Sequence, residues 1–313
     1  MATSIKVACG QLCSSSNLQA NARVVKKLIS KAVAEKAKVL FLPEATDYIS
    51  KDAAESLELA QYSHERFISA IQDELRQLHS KGEGGLYVAV GVHEPSHTKS
   101  STDSKLNKVE NNQLWIDTKG EILHRYQKLH LFDISIANGP ILKESNSVEA
   151  GSKVLPPFPI SDTDASLSPF RVGFATCYDI RFPELTLRLR SLGANIITFP
   201  SAFTTKTGTD HWLALGKARA LDSQCFVAMA AQCGEHATDG PKKRVSYGNS
   251  VVFDPWGNIL AQAPDYTNRA ASDADGDYYE LIVADLDLAW LEKVRSDMPL
   301  MTHRRPDVFG YEV

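Results

Sequence analysis

Short apolar runs alternating with helical patterns constrain this chain more than any other feature. Residues 39–42, 85–93, 194–199 and 226–231 carry almost no polar side chains. A strand that reads this way is buried on both faces, because a half-exposed strand alternates in polarity. Between such runs lie stretches with apolar residues at helical spacing. Residues 17–36 place Ala22, Val25, Leu28, Ile29 and Ala32 on one face, and residues 67–78, 211–222 and 288–294 repeat the pattern. Strands are also expected at 5–12, 171–175 and 279–285. Hairpin pairs are expected at 112–117 with 121–126, and at 249–254 with 258–262, the latter turning at Pro255-Trp256-Gly257. The sheet should therefore be mixed, in one α/β domain over residues 1–313 with sheet inside and helices outside. Residues 97–112, 234–246 and 264–277 are expected as surface loops. The last is rich in Asp and Ala and is expected to be mobile.

The bulk properties narrow the function classes. A net charge of −4 over 313 residues gives no electrostatic footprint for nucleic acid or a membrane surface. The five cysteines include no Cys-x-x-Cys pair, which argues against a disulfide framework or zinc ribbon and for a reducing compartment. Without a signal-peptide pattern, the expected location is cytoplasmic. His93, His211 and His236 lack metal-ligand spacing, so no metal is expected. Gly-x-Gly-x-x-Gly, the P-loop and Gly-x-Ser-x-Gly are all missing, and the expected cofactor is none.

The residues that suggest chemistry stand at the ends of the apolar runs. In Cys177-Tyr-Asp-Ile-Arg181-Phe-Pro-Glu184 a strand pattern stops at a cysteine, and a helical pattern begins after a short turn. A helix N-terminus and a nearby cation such as Arg181 would lower the thiol pKa, which suits a nucleophile. Cys9, Cys13, Cys225 and Cys233 read instead as small packing residues. Glu44 follows the run at 39–42, where open α/β sheets place ligand sites, although an ordinary solvated glutamate would fit there too. Lys128, in an apolar and aromatic context, reads either as a half-buried ammonium needing a carboxylate or as a snorkelling lysine. Glu144 alone is an undistinguished loop carboxylate.

Together these motifs resemble the nitrilase superfamily of carbon–nitrogen hydrolases. Glu44 in Leu-Pro-Glu, Lys128 in Tyr-Gln-Lys-Leu-His-Leu-Phe and Cys177 in Cys-Tyr-Asp-Ile-Arg-Phe-Pro-Glu occur in the order of its Glu-Lys-Cys triad. The resemblance implies a four-layer αββα sandwich, a homodimer packed through helices, and amide hydrolysis through a cysteine thioester. It maps a further functional carboxylate onto Glu144. Phe199-Pro-Ser-Ala-Phe-Thr-Thr, His211-Trp212, Tyr247-Gly-Asn-Ser and His303-Arg-Arg-Pro306 are similar to the Nit-type branch, the deaminated glutathione amidases. That branch implies a small carboxylate amide as substrate, with an ω-amidase acting on α-ketoglutaramate as the near alternative. Tyr48, Ser201, Phe203 and Thr204 then become candidates for the pocket wall, and the Tyr178 N–H for the oxyanion. Arg181 becomes a candidate for the substrate carboxylate, with an ion pair to Asp179 or Glu184 equally open. A base that changes roles would want a carboxyl pKa raised toward neutrality by burial, and Glu44 is expected to have one. An idle triad serving only as an interaction module, or a zinc hydrolase, are the readings from other classes. The intact triad and the scattered histidines argue against them.

Overall fold

Strand β1 (Ser4–Leu12) sends alternate side chains into two different cores. Ile5, Val7 and Cys9 enter one; Ala8 and Leu12 enter the other. The same split runs through β2 (Val39–Phe41), where Val39 and Phe41 face away from Leu40. This is the period-2 geometry of a strand covered on both sides. The structure is a computed structural model that describes residues 4–99, 107–135, 141–237 and 243–310.

The first sheet continues with β3 (Tyr87–Lys99), β4 (Asn107–Ile116) and β5 (Ile122–Gln127). A short ribbon, β6 (Asp133–Ser135) with β7 (Ile141–Lys143), precedes β8 (Val148–Glu149), which pairs with β4. The second sheet holds β9 (Phe158–Pro159), β10 (Arg171–Phe174), β11 (Ile196–Thr198) and β12 (Phe226–Met229). After the hairpin β13 (Cys233–Glu235) and β14 (Val245–Tyr247), it is completed by β15 (Val251–Phe253) and β16 (Ile259–Gln262). Strand β17 (Tyr279–Asp287) returns to the first sheet beside β1, giving the order β17-β1-β2-β3-β4-β5. The second sheet runs β16-β15-β12-β11-β10-β9. Each has a parallel centre, β1-β2-β3 and β10-β11-β12, flanked by antiparallel strands.

Helices cover the outer faces. Helices α1 (Leu18–Ala34), α2 (Ala53–Ser63) and α3 (Ser69–Ser80) pack on the first sheet through Val25, Leu28, Leu57 and Ile71. Helices α4 (Pro183–Ser191) and α5 (Thr205–Ser223) pack on the second through Leu189, Trp212 and Ala220. Between the sheets, Phe41 and Trp115 meet Phe158, Phe174 and Phe226. Three apolar layers thus separate four layers of structure, the αββα sandwich. Helix α1 is capped by Asn17, whose side chain accepts from Ala20 N–H at 3.0 Å, and α4 begins at Pro183, where a missing N–H costs nothing. Helix α6 (Leu288–Asp297) follows β17 and sends Leu291 into the core between the sheets.

Two of the three expected surface loops need correction, whereas residues 264–277 form no named strand or helix, as expected. Residues 97–112 are not a continuous surface loop: β3 runs to Lys99, β4 starts at Asn107, and Asn111 and Asn112 are buried. Residues 234–246 include the β13–β14 hairpin, whose tip at 238–242 lies outside the described residues. The stretch 264–277 is tied down. Lys27 Nζ lies 2.7, 2.6 and 2.8 Å from carboxylate oxygens of Asp273, Asp275 and Asp277, and Arg23 adds a 2.7 Å pair to Asp277. The three acidic side chains gather around an ammonium carried by α1. Upstream, the helix expected at 67–78 begins earlier, with a π turn at His64–Ile68 that leads into α3.

Candidate active site

The two parallel centres each deliver one candidate residue at a strand's C-terminal end. Glu44 lies beyond β2, and Cys177 beyond β10. Lys128 follows the antiparallel β5, and Glu144 opens a short 3-10 turn after β7. Each position is built by backbone contacts from remote segments.

Glu44 sits on a sharp turn. The next residue, Ala45, has φ 54°, a left-handed conformation costly for a side chain with a Cβ. Gly91 on β3 makes the turn possible: its N–H donates to Pro43 O at 3.1 Å, and its carbonyl accepts from Thr46 N–H at 2.8 Å. A Cβ at Gly91 would lie 2.6 Å from Glu44 Cα. From the other half of the chain, the buried Gln232 amide donates to Glu44 O at 3.1 Å and Ala45 O at 3.0 Å.

Lys128 is fixed at both peptide groups: its N–H donates to Asn111 O at 2.9 Å, and its carbonyl accepts from Gly151 N–H at 2.8 Å. Its side chain is buried, with Nζ 3.0 Å from Glu44 Oε1 and 3.0 Å from each oxygen of Glu144. Glu144 is held in turn by Phe132 N–H at 2.6 Å. Glu44 also accepts from Asn111 Nδ2 at 2.8 Å and, on Oε2, from Ala202 N–H at 3.0 Å.

Cys177 has φ 49°, so the candidate nucleophile occupies a strained elbow between β10 and the 3-10 turn Cys177–Arg181. Asp179, fully buried, ties this elbow to the lysine segment. Its carboxylate accepts from Thr176 N–H at 2.9 Å, Tyr126 OH at 2.6 Å and His130 N–H at 3.0 Å, and contacts His130 Nδ1 at 2.6 Å. The Tyr178 N–H, at the start of the turn, has no hydrogen-bond partner among the described residues.

The electrostatics reverse two expectations. Burial pushes the Cys177 thiol well above the usual range; Glu44 adds to the rise, and Lys128 opposes it without prevailing. Arg181 does not supply the lowering charge, because it turns toward His211 Nδ1 at 3.2 Å. Glu44 moves the other way. Burial raises its carboxyl, but Lys128 and the hydrogen bonds from Cys177, Lys128 and Asn111 hold it below the usual carboxylate range. Burial likewise lowers Lys128, and Glu144 and Glu44 reverse this so that its ammonium persists. The resting state is an ionised carboxylate beside a protonated thiol, with a permanent cation between two carboxylates. Such a group can take a proton from sulfur and stabilise a new negative charge.

The proposed wall divides. Phe203 and Tyr178 lie with Arg181, whose guanidinium is 6.0 and 5.9 Å from their ring centroids. Tyr48 is buried, stacked on His93, with its hydroxyl 2.9 Å from Ser56 O. Ser201 is buried and donates to Phe199 O at 2.9 Å. Thr204 caps α5, accepting from Thr207 N–H at 3.3 Å. Each of these three hydroxyls has a hydrogen-bond partner within the fold. Sequence reasoning missed Asn111, the Ala202 N–H and Arg244, whose charge interacts with Glu44, Glu144 and Cys177. An asparagine pair opening an apolar strand pattern was the available signal for Asn111; the other two gave none.

The family profile described as Carbon-nitrogen hydrolase matches residues 6–296. This chain belongs to that family. The hydrolase is 44% identical over 305 residues to the probable hydrolase nit2 of Schizosaccharomyces pombe, covering 96% of this chain and 98% of that one. It is 36% identical to the human deaminated glutathione amidase, covering 97% of this chain and 83% of the relative. Its fold matches the crystal structure of the C. elegans NitFhit protein with a TM-score of 0.80 at 34% identity, covering all of this chain and 67% of that one. The nitrilase-type sandwich and an amide-directed hydrolase therefore agree with the geometry above.

Proposed function

We propose that the hydrolase cleaves deaminated glutathione, the α-keto analogue of glutathione, to α-ketoglutarate and cysteinylglycine. The observation that carries this reading is the ionised Glu44 beside the Cys177 thiol, with Lys128 3.0 Å from Glu44. It is supported by 36% identity to a deaminated glutathione amidase across almost the whole chain.

In the proposed mechanism Glu44 takes the thiol proton as sulfur attacks the amide carbonyl. The oxyanion is met by the Lys128 charge and the Tyr178 N–H, donors of a kind worth about 3 kcal/mol each in hydrolases. Glu44 returns the proton to the departing amine of cysteinylglycine, leaving a thioester on Cys177. Glu44 then deprotonates a water that attacks the thioester; α-ketoglutarate leaves and the thiol is restored. Glu144 keeps Lys128 charged and in place.

The proposal includes a single hydrolase domain, a homodimer and a cytoplasmic setting. Five cysteines, all free, suit a reducing compartment. A dimer is supported by an apolar face where Leu221, Trp256, Ile259 and Met298 are exposed on or beside α5, β16 and α6. No helix among the described residues is long and apolar enough to cross a membrane.

The test is steady-state hydrolysis of deaminated glutathione beside α-ketoglutaramate, for the wild type and Cys177→Ala. A larger kcat/KM for deaminated glutathione, abolished in a folded Cys177→Ala protein, supports the reading. Preference for α-ketoglutaramate moves the assignment to ω-amidase. Full turnover by Cys177→Ala overturns the mechanism.

A further inference from the structure

A buried site containing Glu44, Glu144 and Lys128 carries one more negative charge than positive when all are ionised. A substrate with a carboxylate makes this worse unless another cation receives it. Arg181, the sequence-level candidate, turns to His211 and lies over Tyr178 and Phe203.

Arg244 fits the need better. It immediately precedes β14, and that strand is packed against the segment that completes the Glu44 site. Tyr247 N–H donates to Phe203 O at 2.9 Å, and Ser246 forms a bridge with Thr204. That same segment supplies the Ala202 N–H to Glu44. Around Arg244 the backbone is pinned. Its carbonyl accepts from His236 N–H at 2.9 Å, Lys243 pairs with Glu235 at 2.7 Å, and the buried His236 ring bridges Ser14 O and Ser246 Oγ at 2.8 and 2.7 Å. The Arg244 side chain itself has no hydrogen-bond or ion-pair partner among the described residues.

The Arg244 side chain is exposed to water, and its charge acts on Glu44, Glu144 and Cys177. A guanidinium without a protein partner has its bidentate fork available for a planar anion.

We propose that Arg244 binds a carboxylate of the substrate and sets the preference for acidic amides. This rests on the amidase reading above. The α-keto acid end and the glycine end of deaminated glutathione both offer such a group, so the carboxylate is the shared chemistry.

The experiment compares glutaramate with pentanamide, in which a methyl replaces the carboxylate, for wild type, Arg244→Gln and Arg244→Lys. The wild type should favour glutaramate. In Arg244→Gln that preference should shrink by about 10- to 100-fold, the worth of hydrogen bonds to a charged group, chiefly through KM. Arg244→Lys should keep part of it, and unchanged thermal unfolding would exclude misfolding as the cause. Deaminated glutathione carrying an amide in place of its glycine carboxylate separates the two ends. If Arg244→Gln has the same relative effect on this analogue as on deaminated glutathione, the α-keto end is the partner; a lost effect assigns the glycine end. An Arg244→Gln variant that leaves both the glutaramate preference and kcat/KM for deaminated glutathione unchanged, or that loses equally on both simple amides, overturns the role of Arg244. A wild type indifferent to the carboxylate overturns the acidic-substrate reading itself.

Discussion

Cys177 and Glu44 face each other with the proton on sulfur. Burial and the adjacent carboxylate keep the thiol protonated, while Lys128 and Asn111 help to keep the carboxylate ionised. The nucleophile is therefore made in the act of attack rather than stored as a thiolate, and the base is ready without a neutral pKa of its own.

This pairing predicts a broad pH profile. Activity needs Glu44 ionised and Cys177 protonated. Glu44 is shifted down, so the acid limb should fall below about pH 4; Cys177 is shifted up, so the alkaline limb should lie above about pH 8.5. Between these, kcat/KM should be flat, and the wild type should show no more thiolate absorbance than Cys177→Ala. A thiolate titrating near neutrality would overturn the pairing. Glu44→Gln should lower kcat by about 10²- to 10⁴-fold, the usual contribution of a positioned base.

Gly91 and Gly10 predict contrasting consequences of the same substitution. A Cβ at Gly91 would lie 2.5 Å from Pro43 O and 2.6 Å from Glu44 Cα, so backbone must move. At Gly10 the nearest atoms, at 2.8 and 2.9 Å, are the ends of Leu42 and Leu28. Gly91→Ala should lower kcat by about 10²-fold, as expected for a base displaced by an ångström. Gly10→Ala should chiefly cost stability, about 1–3 kcal/mol. Paired activity and denaturant measurements check this; equal activities would show that the Glu44 turn tolerates displacement.

The layers of the fold were legible because a doubly covered strand cannot hide its apolar run, and each of Glu44 and Cys177 ends such a run. The reach of Lys128 was legible only as a need for a carboxylate. What the sequence concealed depends on distant segments meeting. Asn111 touches Glu44 across 67 positions, and Ala202 across 158. The thiol was misread because helix N-termini and nearby arginines are visible locally, whereas desolvation is a property of the assembled core. The partners of the Tyr48, Ser201 and Thr204 hydroxyls, main-chain or neighbouring side-chain groups, were hidden for a related reason.

The His236 ring predicts acid sensitivity of the fold. Burial pushes its pKa down to about 4, and the ring bridges Ser14 O and Ser246 Oγ. The unfolded chain protonates near pH 6.5, before the folded protein does. The contribution of neutral His236 is therefore complete above that pH, falls as the pH drops toward 4, and levels off below. The total loss should be roughly 3 kcal/mol. Unfolding free energies measured in pH steps should show this slope, and His236→Asn should flatten it. A wild-type slope that persists unchanged in the variant would assign it to other groups.

Asp179 is the joint between the segments bearing Lys128 and Cys177, and it predicts a loss of rate beyond the loss of stability. Asp179→Asn keeps the shape but turns an amide N–H₂ toward groups that donate, Tyr126 OH among them. The cost in stability should be about 2–4 kcal/mol, from one or two buried donors left without acceptors. If the joint positions the elbow, kcat should also fall by about 10²-fold with little change in KM, because the sulfur no longer meets the carbonyl in line. Tyr126→Phe removes one donor and leaves the carboxylate's other partners in place, so its kcat should fall less than Asp179→Asn. Should the Asn variant unfold more easily while turning over at the wild-type rate, the network stabilises the interior without aiming the nucleophile. The strained φ at Cys177 would then need another source of support.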